Sequence, residues 1–393
     1  MSALAGLKVI DFTHAISGPT CTNMLAQLGA EIVKIEPPAR GDGFRHYTEH
    51  GGVPLLSIPF AAINAGKRSI ALDLKSAAGQ RIARDLIATA DIVVENFRPG
   101  VMARLGLAPE DLRSADPRLI VVSISGFGQD GPMAHYGAYD HIAQAASGIA
   151  VMNATAEGPL KIGIPIIDSF TGYIAVIAVL AALRTRDADG GGAHLDIAML
   201  DSALKLVNTS VAVHSATGSV PMGTGNRGFR LVATSEFYAT GTGWIALGAN
   251  EQTQVATLFR VLGHPDMIDD PRFATHAART AHYTELRAWL TDTLARCDAA
   301  TLERDLVAAG VAAARLRDVG EIASDPHVRR RGTLEQVGVP GSERPLDVVA
   351  GFPGDARAGA QVPLLGEHTD AVLATLGLDP AAIAALRDAG VVA

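Results

Sequence analysis

Short apolar runs alternate with segments of helical periodicity along the first two hundred residues of the chain. The apolar runs predict β-strands at residues 7–12, 31–35, 69–72, 92–95, 119–125 and 193–199. Helical spacing predicts helices at residues 19–28, 77–90, 109–114 and 200–213. Alternation of this kind requires parallel strands joined by right-handed crossovers. The pattern therefore predicts a doubly wound α/β domain with its ligands at the carboxyl ends of the strands.

The most apolar stretch, residues 163–183, contains a single carboxylate, Asp168. An extended arm precedes it, and we expect a helix over 169–184 that is apolar nearly all round and therefore buried. Asp168 would stand where that helix begins, next to free N–H donors and the positive end of the helix dipole. Two interpretations follow for Asp168: a helix N-cap, or a buried carboxylate that serves as a nucleophile.

The pattern changes after residue 222. A hairpin is predicted at 236–239 and 244–247, followed by helices near 252–262, 284–296 and 300–309. We therefore expect a large α/β domain over residues 1–215 and a smaller α+β domain over 222–331. A C-terminal segment, 332–393, with a helix at 369–376, is expected to return to the large domain.

Composition narrows the function classes. Of the 393 residues, 48 % are hydrophobic and 19 % are charged, and the net charge is −8. These values favour a globular enzyme and argue against a general nucleic-acid surface. The two cysteines, Cys21 and Cys297, give neither a disulfide framework nor a zinc pattern. No secretory signal is visible, and the longest apolar run, 170–183, is shorter than a membrane span, so a cytoplasmic protein is expected.

Two literal motif matches lack the context that their functions need. Residues 126–131 spell Gly-x-Gly-x-x-Gly, but Pro132 and Gly137 prolong a loop where a dinucleotide site would open a helix. Residues 46–50 spell His-x-x-Glu-His, but glycines and a proline crowd a segment that would have to be helical to bind zinc. We predict neither a nicotinamide cofactor nor a metal site.

Lysine and arginine residues near the predicted strand ends indicate which ligand the protein binds. Lys67 and Arg68 precede a strand that ends near Lys75, whereas Arg98 and Arg104 follow another strand. Taken singly, such residues are usually solvated surface. Together, on one sheet of an acidic protein, they favour a phosphorylated ligand. Tyr139-Asp140 opens a further helix, for which an N-capped helix with a buried aromatic is the alternative interpretation.

As a set and in this order, several segments resemble the class III CoA-transferases, a family that includes formyl-CoA:oxalate and carnitine CoA-transferases and α-methylacyl-CoA racemase. These segments are NAGKRSIALDLK (64–75), VVENFRPGVMARLGL (93–107), SGFGQDGP (125–132), AYDHIAQAASG (138–148), the Asp168 stretch and LLGEHTDAVLATLGL (364–378). The resemblance covers nearly the whole chain. It implies the family fold, an interlocked homodimer in which each chain threads through the other, and a site shared between the two subunits.

The resemblance also implies roles for individual residues. Asp168 matches the nucleophile, which attacks an acyl-CoA thioester, while backbone N–H groups near the start of its helix steady the oxyanion. Coenzyme A enters as a thioester substrate, and no tightly bound cofactor, nucleic acid or membrane partner is expected. The implied CoA contacts are Ile16, Ser17, Leu72, Asp73, Lys75, Asn96, Phe97, Arg98, Arg104, Gly137, Tyr139 and Asp140.

The chain departs from the oxalate enzymes of this family. They have Gln in place of Ile16, Arg in place of Pro37 and a four-glycine lid. Arg40 is a candidate substitute for the missing Arg, and the glycine-bearing loops here are 222–228 and 241–243. Oxalate and formate are therefore disfavoured as substrates.

The expected reaction is CoA transfer from an acyl-CoA donor, with succinyl-CoA as the candidate, to a small carboxylic or dicarboxylic acid. Asn226-Arg227 or Arg230 could meet a second carboxylate of such an acid. One alternative is a racemase or other acyl-CoA isomerase, which needs two bases flanking the α-carbon. In the racemases a His directly precedes an Asp, where this chain has Tyr139 before Asp140. A non-catalytic CoA-binding protein is the other alternative.

Overall fold

A parallel sheet of six strands dominates the part of the chain that the computed structural model describes, residues 2–47, 56–227, 232–351 and 359–393. Each neighbouring pair of strands is parallel, which confirms the predicted parallel α/β sheet. The strands are β1 (Lys8–Asp11), β2 (Glu31–Glu36), β3 (Arg68–Ala71), β4 (Ile92–Glu95), β5 (Ile120–Ser125) and β6 (His194–Ala198).

Helices connect these strands and build the rest of the described chain. Those that precede or follow the parallel strands are α1 (Ser17–Gln27), α2 (Ile58–Asn64), α3 (Ala77–Ile87), α4 (Val101–Arg104), α5 (Pro109–Ala115), α6 (Asp140–Ala146), α7 (Ile149–Met152), α8 (Ile166–Asp189), α9 (Met199–Leu206) and α10 (Asn208–Thr217). The later helices are α11 (Gln252–Val261), α12 (His276–Ala281), α13 (Tyr283–Leu294), α14 (Ala299–Ala308), α15 (Val319–Ser324), α16 (Pro326–Arg330), α17 (Thr369–Ala374) and α18 (Pro380–Asp388). Two 3-10 helices span Gly43–His46 and Pro265–Ile268.

The strand order of the parallel sheet is β3-β2-β1-β4-β5-β6. The chain winds outward from β1 in one direction and, after β4, in the other, so the order reverses between β1 and β4. In open parallel sheets the crevice for ligands lies outside the carboxyl ends of the strands at such a reversal. The topology therefore singles out the loops after Asp11 and Glu95.

Successive side chains along the strands pack alternately into two hydrophobic cores, one on each face of the sheet. Val9 and Ile92 face one layer with α1 and α8, whereas Ile10 and Val93 face the other layer with α3, α17 and α18. Successive residues of a strand point to opposite faces, and both faces here are covered by helices. This explains why the strands are continuous apolar runs and do not alternate with polar residues.

Helix α8 begins earlier and ends later than expected. It runs from Ile166 to Asp189, in place of the predicted 169–184, and Asp168 therefore lies within its first turn. The prediction that α8 is buried all round is wrong, because Tyr173, Ile177 and Leu180 are exposed along one side. By length and composition α8 could cross a membrane, contrary to the expectation, although 44 % of its most apolar window is buried in the structure. It packs on α1 and the sheet, as core helices of globular proteins do.

The described chain divides into two compact units. The larger contains residues 1–150, 161–220 and 326–393, and the smaller contains 151–160 and 221–325. These bounds differ from the predicted ones, because residues 151–160 belong to the smaller unit and residues 326–331 to the larger.

The smaller unit has an antiparallel sheet in the order β7-β8-β9, formed by β7 (Phe237–Thr240), β8 (Gly243–Gly248) and β9 (Ala312–Arg315). The predicted hairpin is confirmed, with Thr240 opposite Gly243 at its turn. Helices α11, α13 and α14 supply most of the remaining core of this unit.

The C-terminal residues pack within the larger unit. A hairpin of β10 (Leu334–Val337) and β11 (Leu346–Val349) precedes α17 and α18. The Oγ1 of Thr369 accepts a hydrogen bond from the N–H of Ala71 at the end of β3, at 3.2 Å. The N–H of Asp73 donates to the carbonyl of Val391 at 2.8 Å. These bonds tie the chain end to the edge strand of the parallel sheet.

Candidate active site

A cavity of about 270 Å³ opens in the larger unit, in the crevice where the strand order reverses. The loops after β1, β4 and β5 and the first turn of α8 form its wall. Ile124, Ser125 and Met199 complete part of the wall from β5 and α9. Among the residues predicted to form the site, those that line the cavity are Ser17, Asn96, Phe97, Arg98, Gly137, Tyr139 and Asp168.

Asp168 does not cap the helix that carries it. Its side chain makes no capping bond, and the first-turn N–H groups of α8 are instead bound by a residue of another helix. The Oδ1 of Asp140 accepts the N–H of Ile167 at 2.7 Å and that of Asp168 at 3.2 Å. The capping interpretation of Asp168 is therefore wrong, because Asp140 performs that role from α6. The Asp168 carboxylate is left facing the cavity.

The environment of Asp168 disfavours its charge. Burial, and secondarily the negative charge of Asp140, raises the pKa of Asp168 to about 7, while a hydrogen bond from the Ser17 hydroxyl opposes the rise. Burial penalises the ionised form of a carboxyl group, and a neighbouring anion adds to that penalty. Asp168 therefore titrates near neutral pH, as groups with chemical roles often do.

The loop between β1 and α1, residues 12–16, contains one residue in a backbone conformation that non-glycine residues seldom adopt. Ala15 has φ +61, and its N–H donates to the Oδ1 of Asp42 at 3.0 Å. A non-glycine residue in the left-handed region is unusual and marks backbone strain that the surroundings must hold in place. Ser17 follows at the start of α1. Gly18 lies so close to Thr13 that an added Cβ would come within 2.4 Å of its side chain.

Buried charged side chains stabilise this loop through ion pairs and hydrogen bonds. The ammonium of Lys34 donates to the carbonyl of Thr13 at 2.6 Å and pairs with Asp42 at 3.1 Å. Lys67 pairs with Asp11, the last residue of β1, at 3.1 Å. The expectation that Lys67 helps to bind a phosphate is wrong, because its ammonium is fully buried in this pair.

The loop after β4 is tied to the loop after β1. The N–H of His14 donates to the Oδ1 of Asn96 at 2.8 Å, and the Asn96 amide donates back to the carbonyl of His14 at 2.8 Å. Arg98 extends along Gly137, where an added Cβ would lie 3.1 Å from a terminal guanidinium nitrogen. Asn96 therefore fixes the geometry of the loop, and the exposed Arg98 is available at the cavity.

Tyr139 and Asp140 are neighbours in the sequence but have different roles in the structure. Tyr139 is 74 % exposed at the cavity, so the alternative interpretation of a buried aromatic is wrong. Asp140 is held by Gln144, whose amide donates to its Oδ2 at 2.5 Å. Gln144 is fully buried, and its Oε1 accepts the N–H of Ile162 at 2.7 Å. Sequence reasoning missed Gln144, although its place four residues after Asp140 on one helix was a usable signal.

Another titratable group missed by sequence reasoning is Glu95 at the end of β4. Burial raises its pKa to about 7, against the effect of hydrogen bonds from Ser123 and from the backbone of Phe97. The N–H of Phe97 donates to the Oε2 of Glu95 at 2.8 Å. Glu95 therefore supports the loop that carries Asn96 and Arg98, although it does not line the cavity itself.

The remaining predicted residues lie away from the cavity wall. Ile16 packs against an apolar cluster with Phe44 and Phe60. Leu72 is buried. The exposed cations of this group, which have no ion-pair partner among the described residues, are Arg40, Lys75 and Arg104. Asp73 accepts the N–H of Lys75 at 3.0 Å. The predicted ligand Arg230 lies outside the described residues, as do the last three residues of the 46–50 motif.

A doubly wound fold with a partly buried carboxylate and an arginine at its switch point defines an α/β enzyme that handles an anionic ligand. Comparison with known proteins gives the family: residues 4–369 match the model of CoA-transferase family III. The chain belongs to this family and is a class III CoA-transferase. The resemblance found in the sequence segments is thereby confirmed.

Curated relatives and a solved structure agree with this assignment. An acetyl-CoA:oxalate CoA-transferase of Acetobacter aceti is 39 % identical over 85 % of each chain. A succinate–glutarate CoA-transferase of Agrobacterium fabrum (strain C58 / ATCC 33970) is 34 % identical over 95 % of each chain. The crystal structure of a CAIB/BAIF family protein from Brucella suis matches with TM-score 0.85 and 31 % identity, covering 95 % of this chain and 99 % of that one.

Proposed function

We propose that this enzyme transfers CoA from an acyl-CoA donor to a small carboxylic or dicarboxylic acid through covalent intermediates on Asp168. The observation that carries the proposal is the Asp168 carboxylate, released from helix capping by Asp140 and facing a cavity at the sheet's switch point. A carboxylate in a water-poor site, held by a hydrogen bond, is a competent nucleophile.

The proposed reaction has four steps, and the bonds formed and broken balance in each. The Asp168 carboxylate attacks the thioester carbonyl, giving a mixed anhydride and the CoA thiolate. The thiolate attacks the aspartyl carbonyl, which releases the donor acid and leaves an aspartyl-CoA thioester. The acceptor carboxylate attacks that thioester to form a second anhydride, again freeing the thiolate. The thiolate then attacks the acceptor's carbonyl, releasing the new acyl-CoA and restoring Asp168.

The oxyanions of these steps need N–H donors, and α8 is a poor source. Its N–H groups at Ile167 and Asp168 already bind Asp140. Helix α1 also begins at the cavity, and the N–H groups of Ser17 and Gly18 have no hydrogen-bond partner among the described residues. We assign the oxyanion donors to this turn, because free N–H groups at a helix start stabilise negative charge. This replaces the expectation that α8 supplies them.

The CoA moiety would lie along the exposed cations of the larger unit. Arg98 borders the cavity and is the candidate for the phosphate contact closest to Asp168. Lys75, Arg104 and Arg40 extend the positive surface. We retain Ile16, Leu72 and Asp73 as proposed contacts through their backbone carbonyl oxygens, because their side chains are buried or engaged in local bonds and the N–H groups of Leu72 and Asp73 are already bonded.

The substrates are proposed from chemistry and from the names of the relatives. Oxalate, succinate and glutarate, the acids in those names, are dicarboxylic acids. We propose succinyl-CoA as donor and a small dicarboxylic acid as acceptor. Because a relative named for oxalate is 39 % identical, oxalate belongs in the acceptor panel despite Ile16 and Pro37.

Racemase chemistry lacks a second base in this site. Tyr139 stands where the racemases have His, and Asp140 is held by three hydrogen-bond donors. These donors occupy both carboxylate oxygens of Asp140, which caps α8 and so has a structural role. A non-catalytic CoA-binding protein would have no use for a nucleophile at this position.

We also propose that the enzyme is an interlocked homodimer of the cytoplasm. Two observations support the dimer. Tyr173, Ile177 and Leu180 form an exposed apolar row on α8, and α10 has no buried residue. Monomeric proteins seldom leave contiguous apolar helix faces in water. Light scattering after gel filtration should give twice the chain mass of 40.8 kDa, and a monomer at micromolar concentration would contradict the proposal.

The transfer reaction is tested in D2O with succinyl-CoA, a panel of small acids and, in a separate tube, a 2-methylacyl-CoA. Mass spectrometry of the CoA pool should show a new acyl-CoA with one acid only, and none with Asp168→Ala. Full turnover by Asp168→Ala would refute the nucleophile assignment. Deuterium at the α-carbon without CoA exchange would instead establish the racemase reaction.

A further inference from the structure

The smaller unit contains a separate cavity of about 420 Å³. Residues 224–227 form one side, and the first two turns of α13 form the other. Gly223 fixes the first side, because an added Cβ there would lie 2.1 Å from the carbonyl oxygen of Ala154. The backbone of Arg227 then pairs with Glu236 in an antiparallel bridge. The backbone position of Arg227 is therefore fixed by contacts within this unit.

The charges in this cavity do not cancel. Glu236 is buried, and its two carboxylate oxygens are both engaged. Its Oε1 accepts the hydroxyl of Tyr283 at 2.6 Å, and its Oε2 accepts the Nε of Arg287 at 3.1 Å. One carboxylate thus compensates one of two guanidinium groups. Arg287 uses its Nε in that bond and is half-exposed, so its terminal nitrogens remain available.

Arg227 is the second guanidinium. Its central carbon lies 4.3 Å from the centre of the Tyr283 ring, and it has no carboxylate partner among the described residues. Stacking on an aromatic face orients a guanidinium while leaving its N–H edge free for a ligand. Arg227 and Arg287 both act electrostatically on Tyr283, which places the two cations around one ring.

We propose that this cavity binds the carboxylate of a small organic acid between Arg227 and Arg287. The planar guanidinium matches a carboxylate in a bidentate pair. One uncompensated positive charge balances one carboxylate, and the second carboxylate of a dicarboxylate lies several bonds away, where it can remain in water. A phosphate dianion carries both negative charges on one group and would leave one of them unpaired in the cavity. Among the described residues of the wall, apolar surface comes from Ala288 and from the Tyr283 ring, on which Arg227 already stacks. A fatty-acyl chain would therefore bury polar wall groups with little apolar contact in return. The choice of a dicarboxylate as ligand rests on the proposed function, but the anion site itself does not.

Calorimetric titration of the full-length protein with succinate, without CoA, tests the site. We expect succinate to bind, with Kd raised about tenfold or more by Arg227→Gln and by Arg287→Gln, because each removes a charge-assisted contact. Arg227→Lys should give an intermediate Kd, since the charge stays and the planar fork is lost. Arg260→Gln is the matched control, an exposed arginine of the same unit outside the cavity.

Equal succinate affinity in wild type and both Gln variants would overturn the proposal, as would tighter binding of inorganic phosphate than of succinate. Thermal melting of each variant checks that lost binding is not lost folding. The same Arg variants are tested beside Asp168→Ala in the transfer assay. Activity of Asp168→Ala would refute the assignment of Asp168 as nucleophile but would not affect the proposed anion site. Normal succinate binding by the Arg variants would refute the anion site but would not affect the assignment of Asp168.

Discussion

The charge of Asp140 should contribute, after burial, to the pH at which the enzyme becomes active. The pKa of Asp168 is raised to about 7 by burial and, after that, by Asp140. Replacing Asp140 by Asn removes the negative charge but retains an amide oxygen that can accept the N–H groups of Ile167 and Asp168. Asn is also a good capping residue, so α8 should keep its start. The variant therefore changes the electrostatics of Asp168 and keeps the cap of α8, although the amide nitrogen of Asn cannot accept the hydrogen bond from Gln144.

The magnitude follows from the titration of one group. With a pKa of about 7, Asp168 is ionised in about one-tenth of the molecules at pH 6 and in about half at pH 7. A fall of about one unit in the pKa of Asp168 in Asp140→Asn raises the ionised fraction at pH 6 from about one-tenth to about one-half. The rate at pH 6 should rise about fivefold, while the rate at pH 8 hardly changes.

The assay is single-turnover formation of the acyl-enzyme from succinyl-CoA between pH 5 and 9. Ser17→Ala should move the rising limb to higher pH, because the Ser17 hydroxyl lowers the pKa of Asp168. Glu95 also has a pKa of about 7, so Glu95→Gln is measured to show that it does not produce the limb. Identical pH profiles of wild type, Asp140→Asn and Ser17→Ala would refute the reasoning.

Three further variants test the energetics of the site. Because the folded-state pKa of Asp168 lies above its value of 3.8 in an unfolded chain, stability is lost as pH rises from about 4 to about 7. Asp168→Asn should therefore raise the unfolding free energy at pH 8 by ~1–3 kcal/mol, allowing for partial exposure, and leave it unchanged at pH 4, as seen by urea denaturation. Lys67→Met removes the ammonium that pairs with the buried Asp11 and should cost about 3–5 kcal/mol at pH 7, and a loss below 1 kcal/mol would contradict the buried pair. Gly172→Ala places a Cβ 2.7 Å from the first carbonyl oxygen of α1 and should cost about 1–3 kcal/mol and lower kcat, whereas Gly163→Ala, with nothing within 4 Å, should do neither.

The sequence alone determined the architecture of the parallel sheet. Strands buried on both faces are continuous apolar runs, and this signal is local, so the six strands were predicted to within a few residues. It also placed Asn96 and Arg98 at a strand end, where the cavity of the larger unit lies. The residues that follow parallel strands meet at one edge of the sheet regardless of how the side chains pack, so this part of the site could be predicted from the sequence.

Only the tertiary structure decided what the charged groups do. Asp168 could be distinguished from a helix cap only once Asp140, 28 residues earlier, was seen to bind the N–H groups of α8. Lys67 had the sequence context of a phosphate ligand, but Asp11, 56 residues away, draws it into the interior. Capping and ion pairing depend on which groups meet across the fold, and spacing along the chain carries no information about contacts between segments so far apart.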